Sequence, residues 1–321
     1  MARVLTDKSP NAATSTPTTP AAIQPRDRLL ADASLLLTAT LWGMNIPVVK
    51  FATQTIEPLV FNASRMVLST LVLGLLAWLE SYWVKQPNAR LVISRFFVFA
   101  MISGLLYPLV FMFGIDRTTA GNTALLLSSM PLWTALISAC FIGERLPLLT
   151  WLALLVAFIG TAIVVVAGGK VNLSADTLFG NLLILLSAML WATGTVLSGP
   201  LLKQISALRL AFYSSLLCTP IHLLIVREKL PGEILQLRQP ENLWALVYSG
   251  IFSTGIAYAT WHIGVRKLGG SHAAVYQNVV TLVAVLGGWL LLAEPLLSSQ
   301  VLGGLLMLIG VFLMRYSRKT L

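Results

Sequence analysis

At 321 residues, 57% hydrophobic and 11% charged, the chain carries less than half the charge of a soluble domain, roughly 25%, and its mean hydropathy of +0.83 asks for a bilayer as solvent. A net charge of +10 would suit a nucleic-acid binder only with Lys and Arg gathered on one face or arm; here they lie in short gaps between apolar runs, where basic residues set membrane orientation. Cys140 and Cys218 stand apart in separate apolar runs, which excludes a disulfide framework or a clustered zinc site.

Met1 to Arg28 is polar, rich in Thr, Pro and Ala, and without the apolar core of a signal peptide; it reads as a short disordered tail on the cytoplasmic side. Apolar runs follow at roughly 29–50, 58–79, 96–115, 120–140, 147–168, 178–200, 207–226, 242–264, 272–292 and 297–316. Each is near the ~20 residues a helix needs to cross the hydrocarbon, and lipid leaves no place for the unpaired edges of open strands. The expected fold is therefore an all-α membrane protein of ten transmembrane helices. The gaps leave no room for a separate soluble domain.

In the first span, Trp42–Gly43–Met44–Asn45–Ile46–Pro47 combines a bulky aromatic, an amide and a proline. Pro47 lacks a backbone donor, kinks the helix and frees the carbonyl of Gly43. Asn45 can bond a solute or another helix. Arg65 falls seven residues into the second span, which begins at Pro58, about 10 Å below its outer end at ~1.5 Å per residue. A charge inside a span is costly and normally faces a polar cavity or a partner. Arg65 is either a clamp for a carboxylate or an arginine that snorkels outward or bonds carbonyls at a helix end. Further polar groups inside spans are Tyr107, Thr195, Tyr213, Tyr258, His262 and the run Tyr276–Gln277–Asn278. Three consecutive helical residues cannot all face lipid, so at least one of the last three should meet a cavity or a neighbouring helix. His222 and His262 fall near span ends, where interface anchoring is the usual role. Asp32, Glu57, Glu80, Asp116, Glu144, Asp176 and Glu294 also lie near span ends. Ion-coupled pumps often carry a carboxylate at mid-membrane, so uniport or facilitated exchange is favoured.

Counting basic residues with the tail inside gives fifteen in the inner segments and six (Lys50, Arg117, Lys170, Arg227, Lys229, Arg238) in the outer ones. The positive-inside rule then places both termini in the cytoplasm. The chain also repeats itself. Trp42 is matched by Trp191 at an offset of 149, and Gly114 by Gly264, Glu144 by Glu294 and Gly160 by Gly310 at 150. Leu35–Trp42 (LLLTATLW) is similar to Ile184–Trp191 (ILLSAMLW). This divides the chain into a first five-helix half, 29–168, and a second, 169–321. Five is odd, so the second half enters from the opposite side, giving an inverted repeat with a solute site near the midplane between the halves.

At these residues the sequence resembles the drug/metabolite transporter superfamily, in particular its EamA-type ten-span exporters and permeases, over nearly the whole length from Leu29 to about Arg315. The carriers are Trp42–Gly43, Arg65, the stretch Ala120 to Leu146 with Pro131 and Gly143–Glu144–Arg145–Leu146, and Gly160. Trp191, Arg209, Ala273–Ala274, Glu294 and Gly310 repeat them. The proline at Pro131 is Thr281 in the second half, and Tyr276–Gln277–Asn278 replace Leu126–Leu127–Ser128. The resemblance implies transport of amino acids, metabolites, cations or drugs in a cell membrane, a bacterial inner membrane being the expected one.

No HExxH, no G-x-S-x-G and no deep aspartate occurs, so an intramembrane enzyme, a cofactor and a metal are not expected. A membrane scaffold would give an inverted repeat with polar positions no evident purpose. The expected activity is export of amino acids or related amphipathic carboxylates by alternating access, with Trp42, Asn45, Arg65, Tyr107, Trp191, Tyr258, Tyr276, Gln277 and Asn278 as candidate substrate-binding residues. A multidrug or cationic-compound exporter is the alternative, against which the lack of a buried carboxylate counts. The partners expected are a small solute and the bilayer, not nucleic acid, with the protein a monomer or homodimer.

Overall fold

The apolar runs become helices in a computed structural model, which describes residues 25–83, 91–142, 148–167, 175–258, 260–261 and 276–319. Among these residues the regular structure is all helical. Helix α1 (Pro25–Ala52) starts four residues before the expected start of the first span, with a proline at its first turn, where the missing N–H costs nothing. It continues through Pro47. Helix α2 (Pro58–Trp83) also starts at a proline, and the Glu57 carboxylate accepts from the Val60 N–H at 2.9 Å, satisfying one orphan donor of its first turn. Next come α3 (Ile93–Phe99), a π-helical segment Ala100–Leu106 and α4 (Tyr107–Arg117), which form one apolar rod, Ile93–Arg117. Thr119 caps α5 (Ala120–Leu127), accepting from the Asn122 N–H. Ser128 and Ser129 break the helix before α6 (Met130–Ile142), and α7 (Leu148–Ala167) follows.

The second half repeats the pattern with α8 (Ala175–Leu202) and α9 (Ala207–Val226), the latter capped by Ser206. Two short helices, α10 (Leu230–Leu237) and α11 (Pro240–Val247), lead into a second π-helical segment, Tyr248–Ile256. Helix α10 was not legible as an apolar run, because it is only eight residues long. Helices α12 (Gln277–Leu292) and α13 (Ser298–Lys319) complete the described chain. Among the described residues, six helices are long and apolar enough to cross a membrane: Leu29–Ala52, Pro58–Trp83, Ile93–Arg117, Ala120–Cys140, Ala175–Leu202 and Ala207–Val226. Leu148–Gly160, Val279–Leu292 and Ser298–Gly310 are shorter apolar helices. Large hydrophobic side chains such as Leu71, Leu75, Trp151, Leu290 and Phe312 face outward. In water so much exposed apolar surface would drive aggregation; against lipid tails it is neutral.

The packing is shared between the halves. Helix α2 lies against α9, and α7 against α13. Two further contacts have counterparts with the halves exchanged: α1 with α12 answers α8 with α5 and α6, and α2 with 248–256 answers α9 with 100–106. The two π-helical segments start 148 residues apart, at Ala100 and Tyr248. Glycines allow the closest approaches. A Cβ on Gly160 would stand 2.6 Å from the Gly303 carbonyl, and one on Gly310 would stand 2.7 Å from the Ala153 carbonyl. The pair first seen as a sequence offset is thus a reciprocal contact between α7 and α13, of the small-residue kind that holds helices together in lipid.

Charged and polar groups tie the helix ends. The Lys50 ammonium donates to the carbonyls of Ile115 (2.9 Å) and Asp116 (2.7 Å) at the end of α4. Ala293 closes α12 in the left-handed conformation (φ 51°), which turns Glu294 toward α5. There its two carboxylate oxygens accept from the Ala120 (2.8 Å) and Gly121 (3.0 Å) N–H groups. A carboxylate at a helix N-terminus satisfies orphan donors and the macrodipole together. Glu144, its partner in the repeat, lies outside the described residues.

Candidate functional site

Two groups of side chains meet where α1, α2, α4, α8 and the segment after Tyr248 come together. The first is aromatic. The ring of Trp42 lies 6.3 Å from Trp191, 5.9 Å from Tyr258 and 5.2 Å from Trp261 between centroids. Tyr107 adds to it at 5.0 Å from Trp191, with Phe111 behind at 6.0 Å. The Trp42 Nε1–H donates to the Ser253 carbonyl at 2.9 Å, which fixes the ring. Edge-on and tilted contacts of this kind favour one arrangement over loose hydrophobic filling.

The second group is polar and centred on Arg65, which is 6% exposed. It does not snorkel. Its Nε and one terminal nitrogen donate to Asn62 Oδ1 at 3.1 and 3.0 Å, and the other terminal nitrogen donates to Ser249 Oγ at 3.2 Å. Three of the five guanidinium N–H groups are thereby used, all on neutral oxygens. Tyr107 and Tyr258, both from the aromatic group, are close enough to act on Arg65 electrostatically. Among the described residues no carboxylate lies within ion-pair distance of it; the ion pairs found are Arg117 with Asp116 and Asp176, Arg227 with Glu228, and Lys229 with Glu57.

Behind Arg65 the hydrogen bonds continue inward. The Asn62 amide nitrogen faces His222 Nδ1 at 3.2 Å, and His222 Nε2 faces the Gly104 carbonyl at 2.9 Å in the first π-helical segment. His222 is 1% exposed, so the expected interface anchor is instead a core group. Its position near the end of an apolar run suggested the membrane surface, but α2 and the π-helical segment pack over that end of α9.

The structure thus brings Trp42, Arg65, Tyr107, Trp191 and Tyr258 into one place. Asn45 lies one turn beyond Trp42 on α1, and its side-chain oxygen is buried without a hydrogen-bond partner among the described residues. Tyr276 does not join them; its hydroxyl donates to Asp32 Oδ1 at 2.9 Å, near the start of α1 and away from Arg65. Gln277 and Asn278 begin α12, and their side chains lie outside the described residues, as does His262. Thr195 and Tyr213 are exposed and turn from the site.

Sequence reasoning missed Asn62, Ser249 and Trp261. Asn62 carried a signal: it stands one helical turn before Arg65, where side chains meet. A second polar group was also missed. The Thr118 hydroxyl and the Asn122 amide meet Asn181 Oδ1 at 2.5 and 3.4 Å, and Gln300 donates to Asn122 Oδ1 at 2.7 Å, joining α5, α8 and α13. Its members are one threonine at a helix end and three single amides in otherwise apolar helices, spread over 182 positions from Thr118 to Gln300.

A helical molecule with an apolar exterior is of the class of integral membrane proteins, and a buried cation walled by aromatic rings is its candidate solute site. Comparison with known proteins agrees. The model of the EamA-like transporter family matches twice, at residues 29–166 and 178–316, and the chain belongs to that family. It is 24% identical over 278 residues to the "Uncharacterized transporter YoaV" of Bacillus subtilis (strain 168), covering 85% of this chain and 92% of that one. To the "Probable terminal-alkyne amino-acid exporter" of Streptantibioticus cattleyicolor it is 23% identical over 291 residues, 90% and 93% of the two chains. A solved crystal structure superposes with a TM-score of 0.56 at 20% identity, over 90% of this chain and 98% of that one. The protein is a multi-pass membrane transporter of small solutes and not an enzyme.

Proposed function

We propose that the protein exports amino acids or related amphipathic carboxylates by alternating access, through a cavity between two inverted five-helix halves (29–168 and 169–321). In this reading ten helices span the membrane and both termini are cytoplasmic. The exchange of contacts between halves and the reciprocal glycines support the two-fold relation. The observation that carries the substrate class is Arg65: a buried guanidinium held by neutral oxygens, with two N–H groups left, one on each terminal nitrogen. A buried cation of that kind is paid for by an anionic partner, and two N–H groups at the end of the fork match the two oxygens of a carboxylate.

The neighbours complete an amino-acid site. The faces of Trp42, Trp191 and Tyr107 suit an apolar side chain, and the unpartnered Asn45 oxygen suits an ammonium. The name of the Streptantibioticus relative, an amino-acid exporter, points the same way, as does the direction it states. A cationic drug would meet Arg65 as a like charge, which counts against the alternative exporter. Reconstitution tests the reading. Arg65→Gln should abolish counterflow of apolar amino acids in proteoliposomes, and Arg65→Lys, which keeps the charge but loses the planar fork, should retain part of it. Normal counterflow per folded molecule in a well-expressed Arg65→Gln protein would remove Arg65 from the site.

A further inference from the structure

The hydrogen bonds behind Arg65 have a definite direction. The Gly104 carbonyl can only accept, so His222 Nε2 carries the hydrogen facing it. Asn62 Oδ1 accepts twice from Arg65, so the amide must present its NH2 to the other side, against His222 Nδ1. A neutral imidazole with hydrogen on Nε2 accepts there, and the chain Arg65, Asn62, His222, Gly104 is satisfied throughout. A second proton on His222 destroys this order. Nδ1–H would then face the Asn62 NH2, donor against donor, and the amide would have to turn over to offer its oxygen. Turned over, it withdraws that oxygen from two Arg65 N–H groups. Nε and its neighbouring terminal nitrogen form the side of the fork, the second edge on which a carboxylate can bind in two-pronged fashion.

From this geometry we propose that His222 is a proton-coupling residue: binding of a solute carboxylate at Arg65 is linked to uptake of one proton on His222 Nδ1. The inference rests on the Arg65 site proposed above and adds the coupling ion. Charge acts in the same direction as the amide, because the proton on His222 and the guanidinium repel until a carboxylate neutralises the latter. The groups around His222 leave Arg65 as its charged neighbour. From α2 the titratable residues are Arg65 itself, with Glu80 and Tyr82 near the far end of the helix. The π-helical segment has none, and Arg95 on α3 lies beyond Ala100, whose carbonyl meets Cys218. Helix α8 has only Asp176, paired with Arg117. On α9 itself Arg209, Tyr213 and Cys218 precede His222, and past its end Lys229 pairs with Glu57. His222 is buried in this conformation, so the proton enters when the helices part, the same motion that transport requires. Such a residue carries one proton with each solute in the same direction, without any carboxylate at mid-membrane, so export runs down the solute's own outward gradient and takes a proton out with it.

Two measurements decide it. Calorimetric binding of a panel of apolar amino acids, phenylalanine and leucine first, is run on the purified protein at pH 6 and pH 8 in buffers of different ionisation heat. The wild type should take up a proton on binding and bind more tightly at pH 6, by up to about tenfold per pH unit, the limit for one linked proton. His222→Gln keeps a donor and an acceptor on a neutral side chain; it should bind without proton uptake and with a flat pH profile. Nitrogen-15 spectra of histidine-labelled protein should show His222 neutral with hydrogen on Nε2 before solute, and doubly protonated with it at pH 6. Binding that needs Arg65 but takes up no proton, or a His222→Gln profile as steep as the wild type's, overturns the coupling and leaves the Arg65 site standing. Binding unaffected by Arg65→Gln, or no binding by any member of the panel, overturns both.

Discussion

Arg65 is held at its side by one oxygen of Asn62, and that makes Asn62 the sharpest probe of the site. Asn62→Asp changes one group and almost no volume, yet places a carboxylate 3.0 to 3.1 Å from the guanidinium, where Asn62 Oδ1 now stands. The built-in ion pair should occupy the charge that the solute needs. Asn62→Asp also removes the amide donor facing His222 Nδ1; the protein that remains folded is expected to lose at least ten-fold in affinity for carboxylate solutes, about 1.4 kcal/mol, as read by calorimetry. A purely structural role for Asn62 predicts unchanged affinity. At this scale the sequence pointed to several residues that the structure brings together and said little about what they touch. Arg65, Trp42 and Trp191 stood out because a charge or a matched aromatic inside a span needs a reason. Ser249 and Trp261 did not, because a serine or a tryptophan in an apolar run is ordinary until a partner from another helix is known. His222 was misplaced for the same cause: distance from a span end says nothing of which helix covers it.

Helices were legible because lipid forces every backbone polar group to be satisfied locally, so apolar length alone nearly defines an element. The interruptions were not. Neither π-helical segment has a local signature, yet they begin at matching places in the two halves, Ala100 and Tyr248, and the first supplies the carbonyl that orients His222. Glycine pairs carried more, since Gly160 and Gly310 lie at one offset and pack reciprocally. Alanine at either position would put a methyl group within about 2.7 Å of a carbonyl oxygen on the facing helix, overpacking of the kind that costs about 1–3 kcal/mol. Gly160→Ala and Gly310→Ala should therefore lower the melting temperature to a similar extent, and calorimetric affinity for solute should change little in the protein that remains folded. Unequal losses would mean that α7 and α13 do not play equivalent parts.

For the molecule as a whole, family membership fixes the transporter class and the site proposes the cargo, while orientation still rests on the distribution of basic residues. Single cysteines replacing Thr6 and Ser174 in a cysteine-free background report it. An impermeant thiol reagent applied to intact cells should label position 174 and not position 6; the reverse pattern would overturn the orientation. The cargo is the central claim, and matched solutes test it most directly. Proteoliposomes loaded with phenylalanine, leucine or another apolar amino acid that exchanges are compared with the same compounds as carboxamides, which keep the ammonium and the side chain and lose only the anion. Counterflow is expected for the acids and not for the amides. Amides that exchange as fast as the acids would contradict a carboxylate held by Arg65.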